Sequence, residues 1–241
     1  MDPRNSVIEK RLGNIKRIIS VASGKGGVGK SLVASTLALA LSEKGFKVGL
    51  LDLDFYGPSS HIILGLERYD FPQENKGIIP INVNGVNFMS IVFFTEDKPA
   101  PFRGVDITNI IIELLSITQW GVLDFLIIDM PPGLGEETLD VIRLVKKNEF
   151  LIVTTSSKVS MAAVNKLLFI LKELSLPLIG VIENMKIENS NYIKNDVSKM
   201  KIRYLGFISF DKNLEQSIGN KTNLFKTNFM KDLKKILNKI V

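Results

Sequence analysis

Apolar residues along this chain fall into two patterns: short continuous runs, and longer stretches in which they recur on one face. The runs at 18–23, 47–52, 124–129, 150–155 and 178–182 are rich in branched side chains and scarcely alternate with polar ones, as strands buried on both sheet faces do. Segment 32–44 mixes leucines with small residues and stops at Gly45, a helix with a glycine end. Segment 161–174 carries apolar residues at 164, 167, 168, 171 and 174, an amphipathic helix. Weaker patterns predict a short helix over 7–12, a strand over 86–94 within the irregular stretch 66–100, and a helix capped at Asp106-Ile107-Thr108 and running to about 117. Towards the end they predict a strand over 203–207, a short helix over 211–219 and a terminal helix over 228–241, while 186–201 is polar and reads as loop. Strand and helix alternate without a fixed-period repeat. The prediction is an α/β chain, one doubly wound and mainly parallel sheet flanked by helices, forming a single domain over 1–241 with a lead-in at 1–17.

Composition sharpens this picture at five points. The chain has 241 residues, 45% of them hydrophobic, enough for one sizeable core. Asp2, Arg4, Glu9, Lys10 and Arg11 interrupt the opening stretch, so no signal peptide is read and a cytoplasmic location is expected. The longest uncharged segment, 77–95, contains Pro80, Gly85 and three asparagines, and reads as sheet and turn rather than a membrane span. Cysteine is absent, which removes disulfides and thiolate ligation of zinc or an iron–sulfur cluster by these residues. The net charge of +6 is uneven: residues 194–241 hold eleven Lys/Arg against four Asp/Glu, a basic quarter read mainly as a solvated lysine face.

The chemistry gathers at the end of the first strand. Gly24-Lys25-Gly26-Gly27-Val28-Gly29-Lys30-Ser31 fits G-x-x-x-x-G-K-[ST], a loop whose backbone N–H groups wrap phosphate oxygens, with Lys30 reaching the β/γ-phosphates and the Ser31 hydroxyl ligating Mg²⁺. Strand 47–52 releases Asp52 and Asp54 at its carboxyl end, where ligands bind in open parallel sheets. Asp129 ends another apolar run, as a Walker-B-like acid beside the metal, and Met130-Pro131-Pro132-Gly133 turns so that Gly133 can offer its N–H to the γ-phosphate. His61, the only histidine, reads as a packing residue rather than a base.

These residues resemble the deviant Walker A group of MinD, nitrogenase iron protein and ParA ATPases, with the extra lysine at Lys25. Within it they are most similar to the Mrp/Nbp (ApbC-type) iron–sulfur carrier ATPases. The matching pieces are 52–59, the Arg103-Gly104 pair, 120–124, Asp129-Met130-Pro131-Pro132-Gly133 and Glu183-Asn184-Met185. The resemblance implies an ATP-hydrolysing switch that dimerises around nucleotide and acts on a protein partner, with ATP and Mg²⁺ as cofactors. It implies that Lys25 reaches the partner subunit's nucleotide, that Asp54 positions the attacking water, that Asp52 and Asp129 serve the metal through water, and that Asn184 reads adenine. Four departures stand out. Leu32 replaces a Thr whose hydroxyl meets the α-phosphate, leaving that contact to backbone; Leu134-Gly135-Glu136 replaces Thr-Gly-Asp; and Ser209 replaces a Pro. Where Cys-x-x-Cys should follow Met185, 186–191 reads Lys-Ile-Glu-Asn-Ser-Asn, so an iron–sulfur cluster is not expected to be bound by this chain itself.

A second reading, ranked below the first, is a MinD-like positioning ATPase whose terminal helix meets membrane through Phe229, Leu233, Ile236, Leu237 and Ile240. A nucleic-acid binder using the basic tail ranks lower, since no aromatic-interleaved basic motif is present. The absence of Asn/Thr-Lys-x-Asp argues against a GTPase.

Overall fold

A computed structural model of the chain describes residues 2–67, 70–95, 104–187 and 190–241. In chain order the elements are α1 (Arg4–Leu12), β1 (Ile15–Ser23), α2 (Lys30–Glu43), β2 (Val48–Asp52), α3 (Ser60–Leu64), β3 (Ile81–Val83), β4 (Val86–Ser90), α4 (Val92–Thr95), α5 (Gly104–Ile117) and β5 (Leu123–Asp129). They continue as α6 (Glu136–Leu144), β6 (Asn148–Thr155), α7 (Lys158–Glu173), β7 (Leu178–Lys186), α8 (Tyr192–Lys199), β8 (Tyr204–Ser209), a 3₁₀ turn (Glu215–Ser217), α9 (Lys221–Leu224) and α10 (Asn228–Leu237). The strands form one sheet in the order β3-β4-β2-β5-β1-β6-β7-β8, parallel except for the edge strand β3. This is the doubly wound α/β sheet that the alternating pattern predicts.

β1 sits between β5 and β6, so the loop leaving its carboxyl end is flanked by the ends of the neighbouring strands. β2 pairs with β5 in a register that sets Asp52 opposite Asp129, and β1 sets Val21 opposite Asp129. The two strand-end acids are therefore neighbours by register, before any side-chain choice is made. α2 carries the phosphate loop's last residues and is buried on almost every side from Val33 to Leu41. That explains its mixture of leucines with small residues: a helix lying between a sheet and other helices has no solvent face to mark with charge.

Several expectations change. The 86–94 run is not one strand: β4 ends at Ser90 and the chain turns into α4, whose Val92 and Phe93 are as buried as the strand, so apolar content alone could not mark the break. Asp106 lies within the first turn of α5 rather than at its cap. β7 runs through Glu183 and Asn184 to Lys186 instead of ending at 182. Part of the 186–201 loop is α8, anchored by buried Ile193 and Val197, a two-residue stripe too sparse to read. The 211–219 helix is only the turn Glu215–Ser217, and α10 stops at Leu237. Arg103, Glu188 and Asn189 lie outside the described residues.

The terminal helix corrects the membrane reading. Phe229, Leu233, Ile236, Leu237 and Ile240 are all buried, packed by α10 against β8 and α2. Ser209 contributes here: its backbone N–H donates to Asp232 Oδ2 at 3.2 Å, a bond that the family's usual proline could not make. Among the described residues, no helix is long and apolar enough to cross a membrane.

Candidate active site

The loop from Gly24 to Gly29 joins β1 to α2, and its glycines serve different purposes. A Cβ on Gly24 would lie 2.5 Å from the α7 backbone at Ala163, and one on Gly29 (φ +79°) would lie 2.3 Å from Asn184 Nδ2. Those two let the loop lie against its own protein. At Gly26 and Gly27 a Cβ would meet nothing within 4 Å, so the bare backbone there faces open space, as a surface that receives an anion must. The loop, Asp54, Gly57, Ser59 and Pro132 line a cleft of about 420 Å³. Leu32, Glu215 and Ile218 are shared with an adjoining cleft of about 240 Å³ that contains Asn184, Met185 and Phe210.

At the wall of the first cleft and just beneath it the charged groups converge. Lys30, almost fully buried, places Nζ 2.5 Å from Asp129 Oδ1, 3.8 Å from Asp54 Oδ2 and 3.2 Å from Ser31 Oγ. Asp52 accepts backbone N–H groups of Asp54 (3.0 Å) and Ser60 (3.2 Å), which fixes the loop after β2, and Ser60 Oγ donates to Asp129 Oδ2 at 3.3 Å. Burial, with the Asp129 carboxylate beside it, pushes Asp52 up to about 7. Burial also raises Asp129, against the pull of Lys30. Two buried acids and one buried lysine leave a surplus of carboxylate, a donor set suited to a divalent cation. Among the described residues no three His, Asp or Glu side chains gather closely enough to hold an ion unaided. A magnesium ion here would owe most of its ligands to phosphate and water, which is its usual habit.

The remaining candidates are placed as follows. Asp54 is partly buried and accepts the Gly57 N–H at 3.2 Å. Val28 is buried, and its carbonyl accepts Asn184 Nδ2 at 2.9 Å, tying the end of β7 to the phosphate loop. Asn184 Oδ1 is buried and has no hydrogen-bond partner among the described residues. A buried, unpaired acceptor costs free energy unless a ligand supplies the donor. Lys25 is half-buried at the cleft, and its ammonium has no ion-pair partner among the described residues. Gly133 (φ +83°) does not present its N–H to the cleft: the amide donates to the Ser23 carbonyl at 3.1 Å. His61 is fully buried in α3, inside the packing and away from the open cleft.

Sequence reasoning missed a second polar cluster, at the β7 end. Buried Glu183 receives Tyr204 Oη (2.6 Å), Ser156 Oγ (2.8 Å) and Lys186 Nζ (3.0 Å). Burial and the Glu183 carboxylate raise Tyr204 well above a phenol's ordinary range. The signal was Glu183 itself, an acid in a strand that is otherwise buried.

With this geometry in place, the chain can be compared with known proteins. A family model described as ParA, the NUBPL iron-transfer P-loop NTPase, matches residues 14–241. The chain is 44% identical over 180 residues to the iron-sulfur cluster carrier protein of Aquifex aeolicus, covering 73% of this chain and 49% of that protein. It is 43% identical over 182 residues to the protein of that name in Saccharolobus solfataricus, covering 74% and 62%. The chain thus spans about half to three-fifths of the length of these curated relatives. Among solved structures, the nucleotide-binding protein of Archaeoglobus fulgidus in complex with ADP aligns with a TM-score of 0.78 and 31% identity, over 92% of this chain and 93% of that one. The Pyrococcus furiosus cell division ATPase MinD shares the fold, with a TM-score of 0.69 and 22% identity over 93% of this chain and 98% of that one. By its glycine loop, its strand-end acids and a family match over nearly its whole length, the chain belongs to the NUBPL iron-transfer group of ParA-type P-loop NTPases.

Proposed function

We propose that this protein binds Mg·ATP in the glycine-loop cleft and hydrolyses it slowly as a nucleotide-dependent homodimer, a switch that assists iron–sulfur cluster assembly. The observation that carries the reading is the convergence of Lys30, Asp54 and Asp129 under an open glycine backbone. The triphosphate lies along the amides from Gly24 to Leu32. Ser31 and, through water, Asp52 and Asp129 are the residues that would hold magnesium, which supplies charge neutralisation at the phosphates.

Hydrolysis joins a water oxygen to the γ-phosphorus and breaks its bond to the β–γ bridging oxygen, giving ADP and phosphate. Asp54 orients that water from the loop after β2, where its carboxylate lies 3.8 Å from Lys30 Nζ at the edge of the phosphate cradle. Lys30 exchanges Asp129 for the phosphates, and Lys25, without an ion-pair partner among the described residues, supplies a cation to the neighbouring subunit's nucleotide. Gly133 joins the γ-phosphate only after giving up Ser23, which ties the turn after β5 to nucleotide state. The base lies between Leu32 and Phe210, with its exocyclic amine donating to Asn184 Oδ1. Without cysteine in these 241 residues, a cluster is cargo held by a partner's ligands.

The test is sizing of the wild type and Lys25→Ala with ADP and with a non-hydrolysable ATP analogue. The reading expects a dimer only for the wild type with the analogue; a monomer under all conditions contradicts the dimeric switch.

A further inference from the structure

The end of β7 is not a regular strand. Its pairing with β8 slips between Glu183 and Lys186, so Asn184 and Met185 form a bulge, and Met185 takes φ +54°. Bulges re-aim side chains, and a left-handed methionine is strained, so something must hold this one. In a regular strand, residues three apart point to opposite faces. Here Glu183 and Lys186 do not: their side chains meet at 3.0 Å because the bulge turns Lys186 back. The ion pair exists only with the bulge, and it spans the bulge.

Both ends of that span are fixed. Ser156, just past the end of β6, and Tyr204 on β8 hold the Glu183 carboxylate, while Lys186 Nζ donates to the Ser190 carbonyl at 2.5 Å and lies 5.0 Å from the centre of the Phe207 ring. What the bulge projects is the floor of the second cleft. Asn184 Nδ2 reaches the Val28 carbonyl, and both Asn184 and Met185 lie directly over Gly29, where an added Cβ would be 2.3 Å from one and 3.2 Å from the other.

We infer that the Glu183–Lys186 pair is a clamp on the β7 bulge, and that Lys186 is a positioning residue for purine recognition, acting through Asn184 and Met185. The inference rests on the nucleotide reading above. Adenine offers an amine to Asn184 Oδ1, whereas guanine sets a carbonyl oxygen in that place. Releasing the clamp therefore loosens base selection while leaving the phosphate cradle alone, a split that general destabilisation would not give.

The experiment measures binding of ADP, GDP and inorganic tripolyphosphate, all with Mg²⁺, to the wild type, Lys186→Met and Lys186→Arg by calorimetry. For Lys186→Met the clamp predicts about tenfold weaker ADP binding and a similar fall in the ADP:GDP preference, with tripolyphosphate unchanged and Lys186→Arg recovering part of the preference. Wild-type ADP affinity and preference in Lys186→Met overturn the inference. Should that variant lose tripolyphosphate too, Tyr204→Phe decides, since it removes one hydrogen bond from Glu183 and no charge: a reduced ADP:GDP preference upholds the clamp and an unchanged one overturns it. A wild type that binds neither ADP nor tripolyphosphate is a separate failure, that of the nucleotide reading itself.

Discussion

Lys30 Nζ lies 2.5 Å from Asp129 Oδ1, so the lysine that should meet phosphate is held by the acid that should serve the metal. The pair is buried, with Lys30 5% exposed and Asp129 fully enclosed. Breaking such a pair from one side leaves an uncompensated charge, typically at a cost of about 3–5 kcal/mol. Lys30→Ala is expected to destabilise the nucleotide-free protein by an amount on that order, and Asp129→Asn in the same chain to restore part of it. Urea unfolding of the two single variants and the double variant checks this; strict additivity would show that the pair contributes nothing.

On the proposed reading, Asp52 couples Mg-nucleotide binding to proton release. Its pKa in the folded protein stands near 7, raised by burial and by Asp129, against 3.8 for the free side chain. Because the folded value is the higher one, ionising Asp52 costs stability as pH rises from about 4 through 7, and below 4 the effect vanishes. A bound Mg²⁺ favours the carboxylate. Mg·ADP binding should therefore expel close to one proton at pH 6 and almost none at pH 8.5, and Asp52→Asn should abolish the difference. Calorimetry in two buffers of different ionisation enthalpy reads the proton count directly.

A side chain at Gly29 would be strained and would displace Asn184. At φ +79°, with Asn184 Nδ2 only 2.3 Å from the Cβ position, Gly29→Ala pays backbone strain and pushes the β7 bulge off the loop. The expected result is loss of ADP binding, with global stability reduced by only about 1–3 kcal/mol. Gly26→Ala, whose Cβ meets nothing, should keep the same stability as the wild type. Thermal melts and ADP titrations of both variants make the comparison.

The terminal helix is a structural element. Phe229 and Leu233 are buried beneath it, and Phe229→Ala should cost about 3–5 kcal/mol. Removing 228–241 should expose the β8 and α2 surfaces and give an aggregating or unfolded chain. A truncated protein that stays folded while the full chain sediments with anionic liposomes in an ATP-dependent manner would restore the membrane reading.

Much of the site was legible in sequence because its residues are named by spacing: the glycine loop, Lys30 and Ser31 come in fixed order, and Asp52 and Asp129 close apolar runs. Register then sets the two acids side by side, which no local pattern states. What stayed hidden depends on long-range contacts. The Val28–Asn184 bond joins residues 156 apart, and the Glu183–Lys186 pair needs a bulge that shows in the slipped β7–β8 pairing and the left-handed Met185, neither of which a local pattern states. Elements with thin apolar stripes were also lost: α6 buries Thr138, Val141 and Leu144, and its start follows so closely on Pro131-Pro132-Gly133 that the motif hides it. The β3–β4 hairpin turns at Asn84-Gly85, inside the stretch read as sheet and turn, but the three-residue β3 is too short for its apolar pattern to mark.

The central claim is that one cleft binds ATP through Lys30 and turns it over through Asp54, and binding and turnover measured in parallel separate the two roles. Lys30→Ala should lose nucleotide binding and activity together. Asp54→Ala should bind Mg·ATP as tightly as the wild type while its turnover falls at least about a hundredfold, the loss of a residue acting at the reacting water. Equal ATPase rates in the wild type and both variants would contradict the account.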